Sequence, residues 1–452
     1  MSVITLQLGQ CGNQVGEQTF STLIDDIYSK STGVTSKENQ DYKDSSLETF
    51  FTQSENGGRD GLQSLPKARA VLVDMETKAI AQTLQQARKS GKWSYHDKQW
   101  YSQKRGSGNN WAYGYCVHGP KSKEDIMNLV RKEGEKCERV GGFLSFLSLA
   151  GGTGSGVGAF VTQSLRDEFP HSFIMNQVVW PYSTGEIIVQ NYNAILTLSH
   201  LYDTADAIVV MENDSLHKIC AQLLNIKNIS FRDINKVIAH KLTSVLQPSL
   251  DDLKYLLFFL IISGYMLERL VPHPQHKLLT VKNIPQMSDI AREFSVYQWP
   301  GLMKSLRQML IADAPMEEGI NWEVKPATRT SSGHTCFNKS LSTMLFLRGK
   351  DSSTIDASMF SDPNIYTSWM SAELASCVSR QPRMFCDYDK AAALVSNSCA
   401  GVKPLNCIMQ KAWNMFSSRA YVHQYLKHGL SEEDFLDSFV SLEKVIAGYN
   451  NL

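Results

Sequence analysis

The sequence predicts an α/β protein: a doubly wound, mostly parallel sheet, then a second mixed α/β domain and a C-terminal helical segment. Three observations carry this. Short apolar runs alternate with stretches of helical period up to about residue 212. Two of those runs open into glycine-rich turns that lead directly into helices, at Gly9–Gly16 and Gly151–Gly158. Beyond residue 212 the alternation gives way to mixed elements and ends in helices.

Taken in order, Val3 to Leu8 reads as a buried strand, followed by the turn Gly9-Gln-Cys-Gly-Asn-Gln-Val-Gly16 and a helix from Glu17 to Tyr28. Residues 30–66 are polar and turn-rich, and read as a long loop with little packing of its own. Ala68 to Asp74 is a strand ending on an acid, Lys78 to Arg88 a helix, Gln103 to Trp111 a loop and Asp125 to Cys137 a helix. Phe143 to Leu149 is a strand that runs into the second glycine turn, with a helix at Ala159 to Arg166. Strands at Met175–Trp180 and Ala207–Met211 flank a helix from about Ile188 to Leu201. In such sheets ligands sit at the carboxyl ends of strands, so the polar turns should converge on one rim. Helices at Asp214–Leu224 and Phe231–Leu246 come next, then strand candidates at Leu278–Val281, Thr343–Leu347 and Ala391–Ser396, and helices at Lys403–Phe416 and Glu432–Ala447. The expected domains are residues 1–212, 213–398 and 399–452. The apolar run Tyr255–Met266 has 12 residues, short of the ~20 that span a bilayer as a helix.

Lys+Arg and Asp+Glu both number 45, for a formal net charge of zero. That balance argues against a broad nucleic-acid surface, and low self-repulsion permits assembly. Nine scattered cysteines without a Cys-x-x-Cys pair read as reduced thiols. The N-terminus carries no secretory signal, and no membrane partner is expected.

The chemistry is that of a nucleoside triphosphate site. Strand, glycine turn and helix offer backbone N–H groups to a phosphate, and Thr153 and Ser155 add hydroxyl donors. A P-loop lysine is absent, because Val157 and Gly158 follow Gly156, so a cation must share the charge. Asp74 and Glu76, just past a strand end, are placed to hold one through water. Asn109 and Asn110 could donate beside the terminal phosphate, Glu186 could meet the ribose, Phe231 could stack on a base, and Asn213 and Asn235 could pair with its edge. Taken singly, such acids read as solvated loop residues and Phe231 as core. A dinucleotide-dependent oxidoreductase is the rival reading, disfavoured because no Gly-x-Gly-x-x-Gly follows the first strand.

In this order the residues resemble the tubulin family. Gly9–Gln14, Val73-Asp-Met-Glu76, Gly106-Ser-Gly-Asn-Asn-Trp111 and Gly151–Gly156 are similar to its nucleotide loops, and Asn213 with Phe231-Arg-Asp-Ile-Asn235 to its base-binding positions. The resemblance covers the whole chain, on to Arg419-Ala-Tyr-Val-His-Gln-Tyr425. It implies GTP or GDP with Mg2+, nucleotide contacts from Gly9, Gln10, Cys11, Gln14, Asn109, Ser148, Ala150, Gly151, Gly152, Thr153, Gly154, Ser155, Gly156, Glu186, Asn213, Phe231 and Asn235, and a metal held by Asp74 and Glu76. Asn110-Trp-Ala-Tyr-Gly-Tyr115, Val271-Pro-His-Pro274 and Lys411-Ala-Trp-Asn-Met-Phe416 resemble one branch of the family. That branch implies a protein of the cytoplasm, centrosome and basal body that serves triplet microtubules and cilia. The implied partners are other tubulins, epsilon-tubulin among them, and centriolar proteins.

The departures concern hydrolysis. The family places an acid on the next subunit to polarise water. The matching position here is Tyr265 read from Val271-Pro-His-Pro274, or Tyr255 read from Ser249–Leu253, with Asp252 and Glu268 as near misses. Leu256–Ile262 is then an insertion, an error in the sequence, or a buried helix with a shifted register. Ala150 replaces a glycine, Gln190 stands where an acid is common, and Phe231 lacks a tyrosine's hydroxyl. The chain stops at Leu452 with no acidic tail, so the charged surface such tails offer is not expected.

Overall fold

The computed structural model describes residues 2–29, 31, 34–52, 65–185, 187–247, 264–288, 291–292, 295–326 and 337–452. Its strands in chain order are β1 (Ser2–Leu8), β2 (Phe51–Thr52), β3 (Lys67–Ala68), β4 (Ala70–Asp74), β5 (Ser94–Tyr95), β6 (Trp100–Ser102), β7 (Val140–Ser148), β8 (Phe173–Trp180), β9 (Ala207–Glu212), β10 (Leu278–Ile284), β11 (Ser340–Gly349), β12 (Ser376–Gln381) and β13 (Lys390–Ser398). Ten of them form one sheet in the order β12-β11-β13-β10-β9-β8-β7-β1-β4-β6, and β2-β3-β5 form a small second sheet.

From β6 to β10 every pairing is parallel. β13 then runs antiparallel to β10 and β11, and β12 closes the edge parallel to β11. Parallel strands buried on both faces need apolar side chains in both directions. β1 shows this: Ile4, Leu6 and Leu8 enter one core cluster, and Val3 the other. Helices α1 (Gly9–Tyr28), α3 (Thr77–Ser90), α7 (Asn213–Gln222) and α8 (Phe231–Leu246) cover one face. Helices α4 (Gly119–Gly134), α5 (Gly158–Glu168) and α6 (Gln190–Thr204), with the C-terminal helices Val402–Ser417 and Glu432–Asn450, cover the other. A third core cluster lies where helix Trp299–Ile311 packs on β10, β11 and β13.

One expectation is corrected outright. Residues 30–66 are not a long loop, because Ser36–Phe50 (α2) is a helix. Its start is fixed by a reciprocal capping box between Thr35 and Glu38, and Tyr42, Leu47 and Phe50 are buried along it. The polar composition hid a stripe of only a few apolar residues. β6, β12 and helix Trp299–Ile311 also went unread, the two strands being short and half-exposed edges. The apolar run lies outside the described residues up to position 263, and Gly264–Leu270 is helical. No helix among the described residues is long and apolar enough to cross a membrane.

Candidate functional site

Parallel strands put all their carboxyl ends on one rim, and the predicted turns leave from it. α1 starts directly after β1, and Asp74 and Glu76 follow β4. The glycine turn follows β7, Tyr182 follows β8, and α7 starts with Asn213 directly after β9. A helix start has N–H groups without intrahelical partners and a positive dipole end, so this rim suits an anion.

The loops also touch one another. Gly9 adopts φ +73°, and a side chain there would come within 2.7 Å of the Gly154 nitrogen, so the first turn lies against the glycine turn. Ser107 Oγ is 3.0 Å from Thr153 Oγ1, which joins the Asn-rich loop to the same turn. A side chain on Gly106 would collide with the Glu76 carboxylate, so that loop also reaches the acid pair. Asn109, at φ +53° next to Gly108 at φ +56°, is exposed on this loop. Asn13 Nδ2 donates to the carbonyls of Gly9 (2.9 Å) and Val73 (3.2 Å), tying β4 to α1. The residues Thr153–Val157 form a widened, π-helical first turn, in which Ser155 Oγ donates to the Gly151 carbonyl. Ser148 Oγ accepts from the Ala150 nitrogen at 3.2 Å.

The acid pair suits a hydrated cation. Asp74 Oδ1 accepts from the Glu76 nitrogen (3.1 Å), while its buried Oδ2 has no hydrogen-bond partner among the described residues. Burial pushes the Asp74 carboxyl up to about 6, and the Glu76 charge adds to this. A cation would satisfy the orphan oxygen and reverse the shift. Among the described residues no group of three or more His, Cys, Asp or Glu could hold a metal alone, so phosphate oxygens would complete the shell.

Further along the rim, α8 packs on both α1 and α7. Phe231, the first residue of α8, is 63% exposed, and its ring centroid lies 6.5 Å from that of Tyr182. Asn213 and Asn235 are buried near the starts of α7 and α8. On α1, Gln10 is exposed, Cys11 and Gln14 are half-buried, and burial pushes the Cys11 thiol up to about 12, which keeps it neutral. The predicted groups Gly9, Gln10, Glu76, Asn109, Ser148, Ala150, Thr153, Asn213 and Phe231 therefore share one rim. Glu186, Asp252 and Tyr255 lie outside the described residues. Tyr265 and Glu268 fall in helix Gly264–Leu270, where Glu268 is exposed.

Sequence reasoning missed Asn193. It is fully buried in α6, and its Nδ2 donates to the carbonyls of Asn109 (2.8 Å) and Ala150 (2.7 Å). Its Oδ1 accepts from the Trp111 nitrogen (3.0 Å) and from Tyr425 Oη (2.6 Å). Ser107 was missed as well. The only cue for either was membership of a segment already singled out.

Comparison with known proteins agrees with this geometry. The model of the Tubulin/FtsZ family GTPase domain matches residues 2–221. Tubulin delta chains of Macaca fascicularis and Homo sapiens are each 52% identical over 460 aligned positions that cover 100% of both chains. A Tubulin beta-4 chain of Zea mays is 26% identical, covering 99% of this chain and 94% of its own.

Proposed function

This chain belongs to the tubulin family, and from that premise we propose that it is a guanine-nucleotide-binding assembly subunit of centrioles and basal bodies. GTP or GDP follows from the family. The Mg2+ site at Asp74 and Glu76, the contacts assigned to single residues, and a role in triplet microtubules and cilia are the finer reading. So are epsilon-tubulin and centriolar proteins as partners beyond the family's other tubulins. The branch-specific words of the sequence and the high identity to delta chains support that finer part.

The observation that carries the nucleotide reading is the meeting of separate loops on one sheet rim, beside a carboxylate oxygen that lacks a partner. The backbone N–H groups of the glycine turn would hold phosphate, Asp74 and Glu76 would orient a cation's water shell, and Phe231 would cover the base. Denaturing the purified protein and resolving the released nucleotide by ion-exchange chromatography tests this. Stoichiometric guanine nucleotide is expected. An adenine or nicotinamide nucleotide, or none from a folded preparation, overturns the reading. The cellular part is tested by placing a tagged copy in ciliated cells, where diffuse signal without centriolar enrichment counts against it.

Turnover is proposed to be weak in trans, since the position matching the activating acid carries Tyr265 or Tyr255. In a stacked-assembly GTPase assay, a large rate loss in Asp252→Ala or Glu268→Ala would overturn that. Single-turnover hydrolysis by the isolated chain would favour a soluble GTPase instead.

A further inference from the structure

Among the described residues, Asn193 is the one side chain that bonds both glycine- and asparagine-rich loops and the C-terminal segment at once. A primary amide has two N–H donors and an oxygen with two lone pairs. All four are used: Asn109 O and Ala150 O on the nitrogen, Trp111 N and Tyr425 Oη on the oxygen. The first and third partners lie in the Asn-rich loop, the second begins the glycine turn, and the fourth lies in helix Val422–Leu426. Tyr425 is itself fully buried, edge-on to Tyr192 (5.5 Å) and Phe435 (5.3 Å), so its hydroxyl cannot swing away. Two more contacts hold helix Val422–Leu426 and the turn after it: Asn110 Nδ2 of the same loop donates to the Gln424 carbonyl (3.2 Å), and the ring of Tyr113, in the helical turn after that loop, lies 4.7 Å from that of His428. Just before helix Val422–Leu426, Arg419 (φ +53°) and Tyr421 (φ +60°) hold left-handed backbone that non-glycine residues seldom adopt.

We infer that Asn193 and Tyr425 are positioning residues that set the spacing between the Asn-rich loop and the glycine turn, and so make nucleotide affinity and GTP-over-GDP preference depend on the C-terminal segment. This rests on the guanine-nucleotide reading above. Neither side chain belongs to the proposed nucleotide contacts. Each acts through backbone carbonyls and an amide whose displacement would move Asn109 away from the terminal phosphate. GTP binding should therefore suffer more than GDP binding.

The test is equilibrium binding of fluorescent GTP and GDP analogues to the full chain, with thermal melts in nucleotide-free buffer. Tyr425→Phe removes one hydroxyl and keeps the ring packing. It should weaken GTP about fivefold, the worth of one buried hydrogen bond, and GDP by about twofold or less. Asn193→Ala should weaken GTP far more, and the double variant should bind no worse than Asn193→Ala alone, because the hydroxyl acts only through the amide. A Tyr425→Phe protein with a lowered melting temperature but unchanged GTP and GDP affinities would make the pair a fold element only and overturn the inference. A folded wild type that binds neither nucleotide overturns the guanine reading together with it, whereas binding by wild type and unchanged variants sinks the inference alone.

Discussion

Lys241 of α8 is 4% exposed, and its ammonium donates to the Val281 carbonyl (3.2 Å) with the buried Lys282 as a charged neighbour. Burial, and then the Lys282 charge, pull its pKa down to about 7. Lys282 has its own acid, Asp313, at 3.1 Å. The unfolded chain keeps the Lys241 proton to near its ordinary value, while the folded chain releases it near 7. Between those pH values the unfolded state binds more protons, so stability rises with pH. Lys241→Met should raise stability by about 1–3 kcal/mol at pH 7, and flatten the rise between pH 7 and 9. Chemical denaturation at several pH values measures both. At this scale the legible residues were those whose type and local spacing announce a role, such as Gly9, Asp74 and Thr153. Asn193 was not legible, because its bonds reach residues 43, 82, 84 and 232 positions away. No local pattern marks an asparagine that will become a junction between such distant segments.

α8 shows what an element's boundary can say. Its start is well specified, since Ser230 and Asp233 form a reciprocal capping box. The sequence pattern placed the helix at Phe231–Leu246, as observed. Yet its first residue is a large apolar side chain left mostly in water. The ring belongs to no core cluster among the described residues, so Phe231→Ala should leave the melting temperature nearly unchanged. If a base stacks on the ring, nucleotide affinity should fall about tenfold, the usual worth of one aromatic platform. An equal loss of stability and binding would instead make Phe231 an ordinary packing residue. α2 is the opposite case: it was hidden because caps and a few buried residues, rather than a full apolar stripe, hold it in place.

Across the whole molecule, a buried ion network ties the first half of the chain to the second. Asp26 of α1 lies 3.2 Å from Arg348 of β11 and 3.1 Å from Arg383, and accepts from Tyr42 Oη of α2 at 2.7 Å. The Arg383 guanidinium stacks 4.1 Å from the Tyr42 ring centre. Burial alone would raise the Asp26 carboxyl, but Arg348 and Arg383, then Tyr42 and the Cys386 amide, hold it below the usual range. Its contribution is thus present above the ordinary carboxylate value and lost as pH falls through the lowered one. Asp26→Asn strands two buried guanidinium groups and should cost about 3–5 kcal/mol in urea unfolding. A cost under about 1 kcal/mol would mean the network is solvated and weak. The sequence made most of the parallel first half legible, because β1, β4, β7, β8 and β9 are each followed by a helix before the next strand of the large sheet. It did not reveal that β10 to β13 extend the same sheet, since β9 and β10 pair across α7 and α8 and no strand pattern names its partner.

That continuity across β9 and β10 bears on any attempt to isolate the nucleotide-binding half. The family's GTPase match ends at residue 221, after β9 but before β10. A fragment cut there would leave the peptide groups of Ile208, Val209 and Val210 without the strand that pairs with them. It would also strip apolar cover from one flank of α8's neighbours. Such a raw flank recruits other chains, so the truncated piece would precipitate or form mixed aggregates, and the nucleotide-binding half of this protein is best handled only as part of the intact polypeptide.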